Sequence, residues 1–331
     1  MAEYINIKGQ SIEVLASDPA NPTIGQIWYN STSNTLKGGS VTTAATWATG
    51  GNLSSARVYG GSAGGANDAF SMGGENTVSK IDLVEEYNGT SWTTATALPA
   101  ATAFMSGAGS QTAGLGFGGQ TPGGATTNTF TYDGSTWSPT GAMNTARGTG
   151  ASGGIQTAAF VAGGTNFTPP TTSTATENFN GTSWTSSGNL STARRFLGGA
   201  GTQTAGLAFG GYSPPATGAT EEYNGATWTS SNSLNTARGY LRGFGIQTVA
   251  VASGGLTPSQ TNAVEEYDGT SWTSSTNLPT TLYGHYASGI GGNGTSGIIF
   301  GGAASVPPAQ TTATQDYISA GSPTTKTITA S

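Results

Sequence analysis

The side chains best suited to chemistry in this sequence are its arginines. There are six, Arg57, Arg147, Arg194, Arg195, Arg238 and Arg242, and four of them (57, 147, 194 and 238) stand ten residues after a tryptophan. Aromatic residues accompany them at Tyr59, Phe196, Tyr240, Tyr283 and Tyr286, with the single histidine, His285. A guanidinium offers donors in a planar fork and also stacks on rings, so this combination suits carboxylates, phosphates and sugars. Two roles compete for the four Trp-spaced arginines: contact with a ligand, or a packing feature in which the guanidinium satisfies buried carbonyls. Arg195, Phe196, Tyr240 and Arg242 break the spacing and carry more weight as ligand contacts. The candidate binding set is therefore Arg57, Tyr59, Arg147, Arg194, Arg195, Phe196, Arg238, Tyr240, Arg242, Tyr283 and His285.

No catalytic or metal-ligating constellation accompanies them, and no cofactor motif. The chain has no cysteine, which removes disulfides, thiolate nucleophiles and cysteine metal sites together. His285 has no nucleophile elbow to serve. The acidic pairs Glu85–Glu86, Glu221–Glu222 and Glu265–Glu266 precede a tyrosine on predicted strands, where neighbours point to opposite sides of the sheet, so the expected reading is a solvated edge. A glycosidase needs two carboxyl groups flanking the bond, and on the arginine side only Asp68, Glu75 and Asp82 stand, all in one region. The net charge of −6 argues against nucleic acid as a partner. No apolar run approaches the roughly 20 residues that cross a bilayer, and the N-terminus lacks the basic start and apolar core of a secretory signal.

The arginines are positioned by an internal repeat. Tryptophan recurs at 47, 92, 137, 184, 228 and 272, Gly-Gly at 73–74, 118–119, 163–164, 210–211, 254–255 and 301–302, and Tyr or Phe at 87, 132, 179, 223, 267 and 317. Within a unit the order is apolar run, Gly-Gly, Pro-rich segment, Tyr, Asn-Gly or Asp-Gly, Trp, then Ala-Arg. Asn-Gly and Asp-Gly between Tyr and Trp predict a tight hairpin. A second hairpin turns at segments such as GSQT (109–112) and GIQT (245–248). Four short strands in each 44–47 residues make one blade of a propeller. Charged residues make up only 8% of the chain and glycine supplies 54 positions, yet the recurrent aromatic residues exclude disorder.

These residues resemble the kelch repeat over about 47–317, with a Tyr-to-Trp spacing one residue shorter than usual. The resemblance implies an all-β fold: a six-bladed kelch-like β-propeller of four-stranded blades, the ring closed by N- and C-terminal strands. It places the glycines on the second strand, and Tyr and Trp on the third and fourth. The first Trp precedes the first Gly-Gly and the last Tyr lacks a following Trp, so the strand around Trp47 is expected to complete the last blade, with residues 325–329 as the competitor. In kelch proteins blade-entry residues line the channel mouth and contact ligand, a role the arginine segments inherit. The copper-oxidase chemistry of some kelch proteins needs cysteine and more than one histidine, which this chain lacks.

Turns between first and second strands and between third and fourth share one face of such a disc. The Pro-rich links after Gly-Gly, such as 120–128, 165–173, 212–218 and 304–310, share the other with the arginine segments. That variable face is the expected recognition surface.

Residues 1–46 do not follow the repeat. QIWYN (26–30) and NTLKG (34–38) read as a hairpin around a Ser-Thr-Ser turn, after a proline bend at 17–22. The GxIWYN…LK pattern resembles a segment near the N-termini of bacteriophage tail-fibre and other virion proteins. The expected division is an attachment or assembly module at 1–46, with a small β-hairpin, and the propeller at 47–331. The resemblance implies a virion structural protein made in the host cytoplasm, joined to other virion proteins through residues 1–46, with its propeller binding host-surface polysaccharide. A subunit decorating the capsid or tail is the alternative, and a polysaccharide-degrading enzyme the least favoured. A homo-oligomer is compatible with either.

Overall fold

The computed structural model describes residues 12–19, 26–41, 44–167, 171–289, 296–305, 309–319 and 323–327. The described chain is all-β, without a helix, and none could therefore cross a membrane as one. It divides into two compact units, residues 1–46 with 318–331 and residues 47–317.

In the first unit, Ile27–Asn30 and Thr35–Val41 form the expected antiparallel hairpin, in register from Ile27↔Gly38 to Asn30↔Thr35. Asn30 closes the turn, its Oδ1 accepting the N–H groups of Thr32 and Ser33 at 3.1 and 3.0 Å. Trp28 is fully buried, and its Nε1 donates to Asp18. Glu13–Leu15 adds in parallel to Ile27–Asn30, and Pro323–Thr327 adds to Thr35–Val41. Of the bend at 17–22, residues 20–22 lie outside the described residues, as do 328–329 of the competing closing segment. The strand seated beside Thr314–Ile318 is Thr46–Thr49.

The second unit holds six four-stranded antiparallel sheets in a propeller-like arrangement. In chain order their first strands are Gly61–Ala63, Ser106–Ser110, Ala151–Ile155, Gly198–Thr202, Arg242–Ile246 and Tyr286–Ser288. Each packs beside the next, and Tyr286–Ser288 packs beside Gly61–Ala63. The third and fourth strands meet at the aromatic pair, Tyr132 directly opposite Trp137 and Tyr223 opposite Trp228. These rings stack at 4.7 Å. Between them the Asn or Asp side chain accepts two backbone N–H groups, as Asp133 does from Ser135 and Thr136, so the turn consumes its own polar residue. Gly-Gly ends the second strand with both residues at positive φ; at Gly119 a Cβ would come within 2.6 Å of the Ala103 carbonyl.

Neighbouring sheets are stitched by polar side chains. Four tryptophans donate Nε1–H to the threonine that opens a third strand one sheet back, as Trp184 does to Thr129 and Trp272 to Thr220, each at 2.9 Å. The glutamine of each Gln-Thr turn reaches back too: Gln156 donates to the carbonyls of Gly114 and Tyr132, and Gln203 to those of Ala159 and Phe179. These turns therefore hold sheets together and do more than reverse the chain.

Candidate functional site

The five residues from ten to fourteen positions after each repeat tryptophan enter the first strand, and they hold the whole candidate set. The tenth position is Arg57, Thr102, Arg147, Arg194, Arg238 or Leu282. All four arginines are buried, with 0 to 2% exposure, and each faces a buried glutamate: Glu85, Glu177, Glu221 and Glu265 respectively. Arg57 lies 2.5 Å from Glu85 and Arg194 2.7 Å from Glu221. Arg147 is 2.9 Å from Glu177, although its N–H bonds are not aligned on the carboxylate, whose other oxygen takes both Asn144 donors. Burial lowers the pKa of Arg147, Arg194 and Arg238, and the glutamates oppose that shift. Arg57, Arg147, Arg194 and Arg238 thus offer no surface to a ligand, and the expectation that they do is corrected. A buried charge stays ionised only beside a counter-charge.

The acidic pairs need the matching correction, since they are not solvated edges. Their first members are the arginine partners. Their second members accept hydrogen bonds from the tyrosine of the next sheet: Tyr132 to Glu86 at 2.8 Å, Tyr267 to Glu222 at 2.5 Å, and Tyr317 to Glu266. The repeats vary these pairs together. Where arginine gives way to Thr102 or Leu282, the glutamate position holds Phe130 or Gln315.

The twelfth position is Tyr59, Phe104, Thr149, Phe196, Tyr240 or Gly284, and all six have φ between 53 and 64°. That region strains a residue with a bulky or branched side chain by about 1–3 kcal/mol. Neighbouring repeats hold the strain in place through backbone hydrogen bonds. The N–H of Tyr59 donates to Gly284, Phe104 to Tyr59, Thr149 to Phe104, Tyr240 to Phe196, and Gly284 to Tyr240. The left-handed turn brings the side chains together: Phe196 stacks on Tyr240 at 3.7 Å and Tyr59 on Phe104 at 4.6 Å, while Tyr283 lies 6.3 Å from Tyr240 and 6.5 Å from Tyr59. Burial raises the pKa of Tyr59, Tyr240 and Tyr283, keeping these phenols neutral.

Arg195 stands beside this cluster. Its guanidinium lies 5.7 Å from the Phe196 ring centre and 5.6 Å from that of Tyr212, and no carboxylate pairs with it among the described residues. Its Nε is buried without a partner. Tyr212, directly after Gly210-Gly211, is held by reciprocal backbone bonds with Arg195. Tyr212, Pro215 and Ala216 on one link face Tyr240, Leu256 and Pro258 across a groove of about 440 Å³. That volume fits a small ligand.

Arg242 and His285 do not line this groove. Arg242 Nε donates to the His285 carbonyl at 3.3 Å, and the fully buried His285 ring shares a 2.9 Å hydrogen bond with Ser253. Burial first, and the Arg242 charge second, push the His285 pKa down to about 3, so the ring is neutral. The structure thus brings Tyr59, Arg195, Phe196, Tyr240 and Tyr283 together and separates them from the four paired arginines. Sequence reasoning missed Phe104, Leu256 and Pro258, and reached Tyr212 and Pro215 only through the link 212–218 as a whole. Phe104 was open to discovery, since it follows Trp92 by the twelve residues that separate Tyr59 from Trp47. Among the described residues no group of three or more His, Asp or Glu could hold a metal ion. Comparison of the chain with protein-family models gave no match, and neither did comparison with curated proteins.

Proposed function

We propose that residues 47–317 form a closed six-bladed propeller of the kelch type, and that its Tyr212–Tyr240 groove binds carbohydrate without turning it over. Closure is supported by the return of the first-strand packing from Tyr286–Ser288 to Gly61–Ala63 and by the backbone bonds through Tyr59 and Gly284. The observation that carries the binding reading is an unpaired arginine beside an aromatic, proline-walled groove on the face where the links differ most. Tyrosine rings stack on the apolar faces of sugars, and the Arg195 fork reaches hydroxyls or carboxylates. In this reading the chain is a bacteriophage virion appendage, joined to the particle through its N-terminal unit. The setting is supported by the hairpin around the buried Trp28, whose sequence resembles tail-fibre segments.

A glycan array of the full chain, followed by calorimetry on the best ligand, tests the binding. Tyr212→Ala and Arg195→Ala are each expected to weaken it at least tenfold while leaving the thermal unfolding midpoint nearly unchanged. Binding of native protein and both variants with equal affinity would sink the assignment of the groove, and no binding by the native chain would sink the carbohydrate reading. Mass spectrometry of purified particles tests the setting separately.

A further inference from the structure

A run of aromatic contacts places Arg195 beside both walls of the Tyr212–Tyr240 groove. Tyr240, on one wall, stacks on Phe196 at 3.7 Å, and the Arg195 guanidinium lies 5.7 Å from the Phe196 ring centre. The same guanidinium lies 5.6 Å from the ring centre of Tyr212, on the other wall. Reciprocal backbone bonds of 3.1 and 2.7 Å between Arg195 and Tyr212 fix that approach. The charge is felt in the groove, since burial raises the Tyr240 pKa and Arg195 opposes the rise.

No carboxylate among the described residues neutralises Arg195. Glu221 and Glu222 are the only acidic residues between Arg195 and Val264, and they hold Arg194 and the Tyr267 hydroxyl. No described residue hydrogen-bonds the Arg195 guanidinium; its Nε is buried, while its terminal nitrogens keep access to solvent. The described groove lining, which includes Pro215, Leu256 and Pro258, carries no charge. A ligand seated against these walls takes water from the guanidinium. A neutral sugar returns ordinary hydroxyl contacts for that loss, whereas an anion returns a charge-assisted pair. The chain as a whole stands at −6, so an anion gains only where a cation is locally unpaired.

We propose that the groove selects acidic glycans, and that the group it reads is the carboxylate of a uronate or sialate-type sugar paired with the Arg195 fork. A guanidinium meets a planar carboxylate through two parallel N–H bonds. One guanidinium balances one negative charge. A phosphate monoester, close to doubly charged at pH 7, would need a second cation that the described lining does not supply. The carboxylate stands on the rim of the sugar ring, so a ring laid on Tyr212 or Tyr240 brings it to the guanidinium. Selectivity of this kind rests on the carbohydrate reading of the groove, and the experiment keeps the two apart.

The probes are oligogalacturonate, oligoglucuronate and oligosialate, each arrayed beside its neutral methyl ester, together with sulfated and neutral galactan. The full chain is expected to bind at least one acid about 30-fold more tightly than its ester, measured by calorimetry on the pair. Arg195→Gln is expected to remove most of that ratio, whereas Tyr212→Ala is expected to weaken acid and ester alike. Acid and ester bound equally, sulfated galactan bound as tightly as the acid, or a native ratio retained in Arg195→Gln would each overturn the carboxylate pairing. Binding of neutral glycans without any acid would overturn the selectivity and leave the groove a carbohydrate site; no binding at all would overturn both. The native pair decides the matter alone where the variant does not fold.

Discussion

The linked variation of Arg194 and Glu221 with Leu282 and Gln315 can be tested as a double-mutant cycle. Arg194→Leu removes the 2.7 Å ion pair and the donors to the Gly210 and Ala219 carbonyls at 2.8 and 2.6 Å. Glu221 would then stay buried with the Ser191 N–H as its remaining partner. Breaking a buried pair from one side costs about 3–5 kcal/mol, and this site belongs near 4. Glu221→Gln keeps an acceptor for the guanidinium but leaves its charge unbalanced, at about 2–3 kcal/mol. The double variant recreates the Leu282/Gln315 combination, and its remaining loss is the two carbonyls, about 2 kcal/mol. The singles sum to about 6–7 kcal/mol, so the coupling is expected to exceed roughly 3 kcal/mol. Equilibrium unfolding in urea, followed by tryptophan fluorescence, measures all four corners. A double variant whose loss equals the sum of the singles within about 0.5 kcal/mol would refute the argument that these residues are retained as a unit.

Thr149→Gly is expected to stabilise the fold by about 1 kcal/mol, because it relieves a β-branched residue at φ 64° and removes a buried hydroxyl without a partner; Gly284 already fills the equivalent position. Calorimetric unfolding checks the sign. The His285 ring is expected to stay neutral from pH 8 to pH 5 by NMR, because its folded pKa lies at about 3. The unfolded chain takes up that proton near pH 6.5, so stability is full above that pH and falls as the pH drops towards the folded value. Asp133 is held well below the usual carboxylate range, first by the Thr136 N–H and then by the hydroxyls of Thr136 and Ser135. Its contribution is present above the ordinary carboxylate pKa and is lost as pH falls through the depressed value; Asp133→Asn should remove that dependence and fold normally at pH 7, as the equivalent Asn88, Asn180 and Asn224 turns do.

Periodicity made the strands legible, since Tyr132, Asp133-Gly134 and Trp137 name a third strand, a turn and a fourth strand by side-chain type alone. Spacing also told two neighbouring arginines apart, since Arg194 keeps the ten-residue interval from Trp184 and Arg195 does not. Arg194 and Arg195 are adjacent in sequence, but Arg194 turns into the interior towards Glu221 while Arg195 flanks the rings of Phe196 and Tyr212. Their separation depends on backbone direction at the strand entry, and composition does not encode it. The partnership of Arg194 with Glu221 spans 27 residues, so no local spacing links them. The linked variation at Thr102/Phe130 and Leu282/Gln315 was the available signal, visible once the six units are laid in register.

The sequence by itself determined the all-β class, the six repeats, the Tyr–Trp pairing, the hairpin around Trp28 and the face on which the units differ. Those features depend on local side-chain periodicity and turn chemistry, which neighbouring residues dictate. Tertiary structure alone decided which charges are paired, that the left-handed twelfth positions gather their rings, that Tyr212 and Tyr240 wall a groove, and that Arg242 lines the pocket where the first strands meet. Each of these is a meeting of side chains from different sheets, and burial decides them because a charge removed from water must find its partner wherever the fold places it.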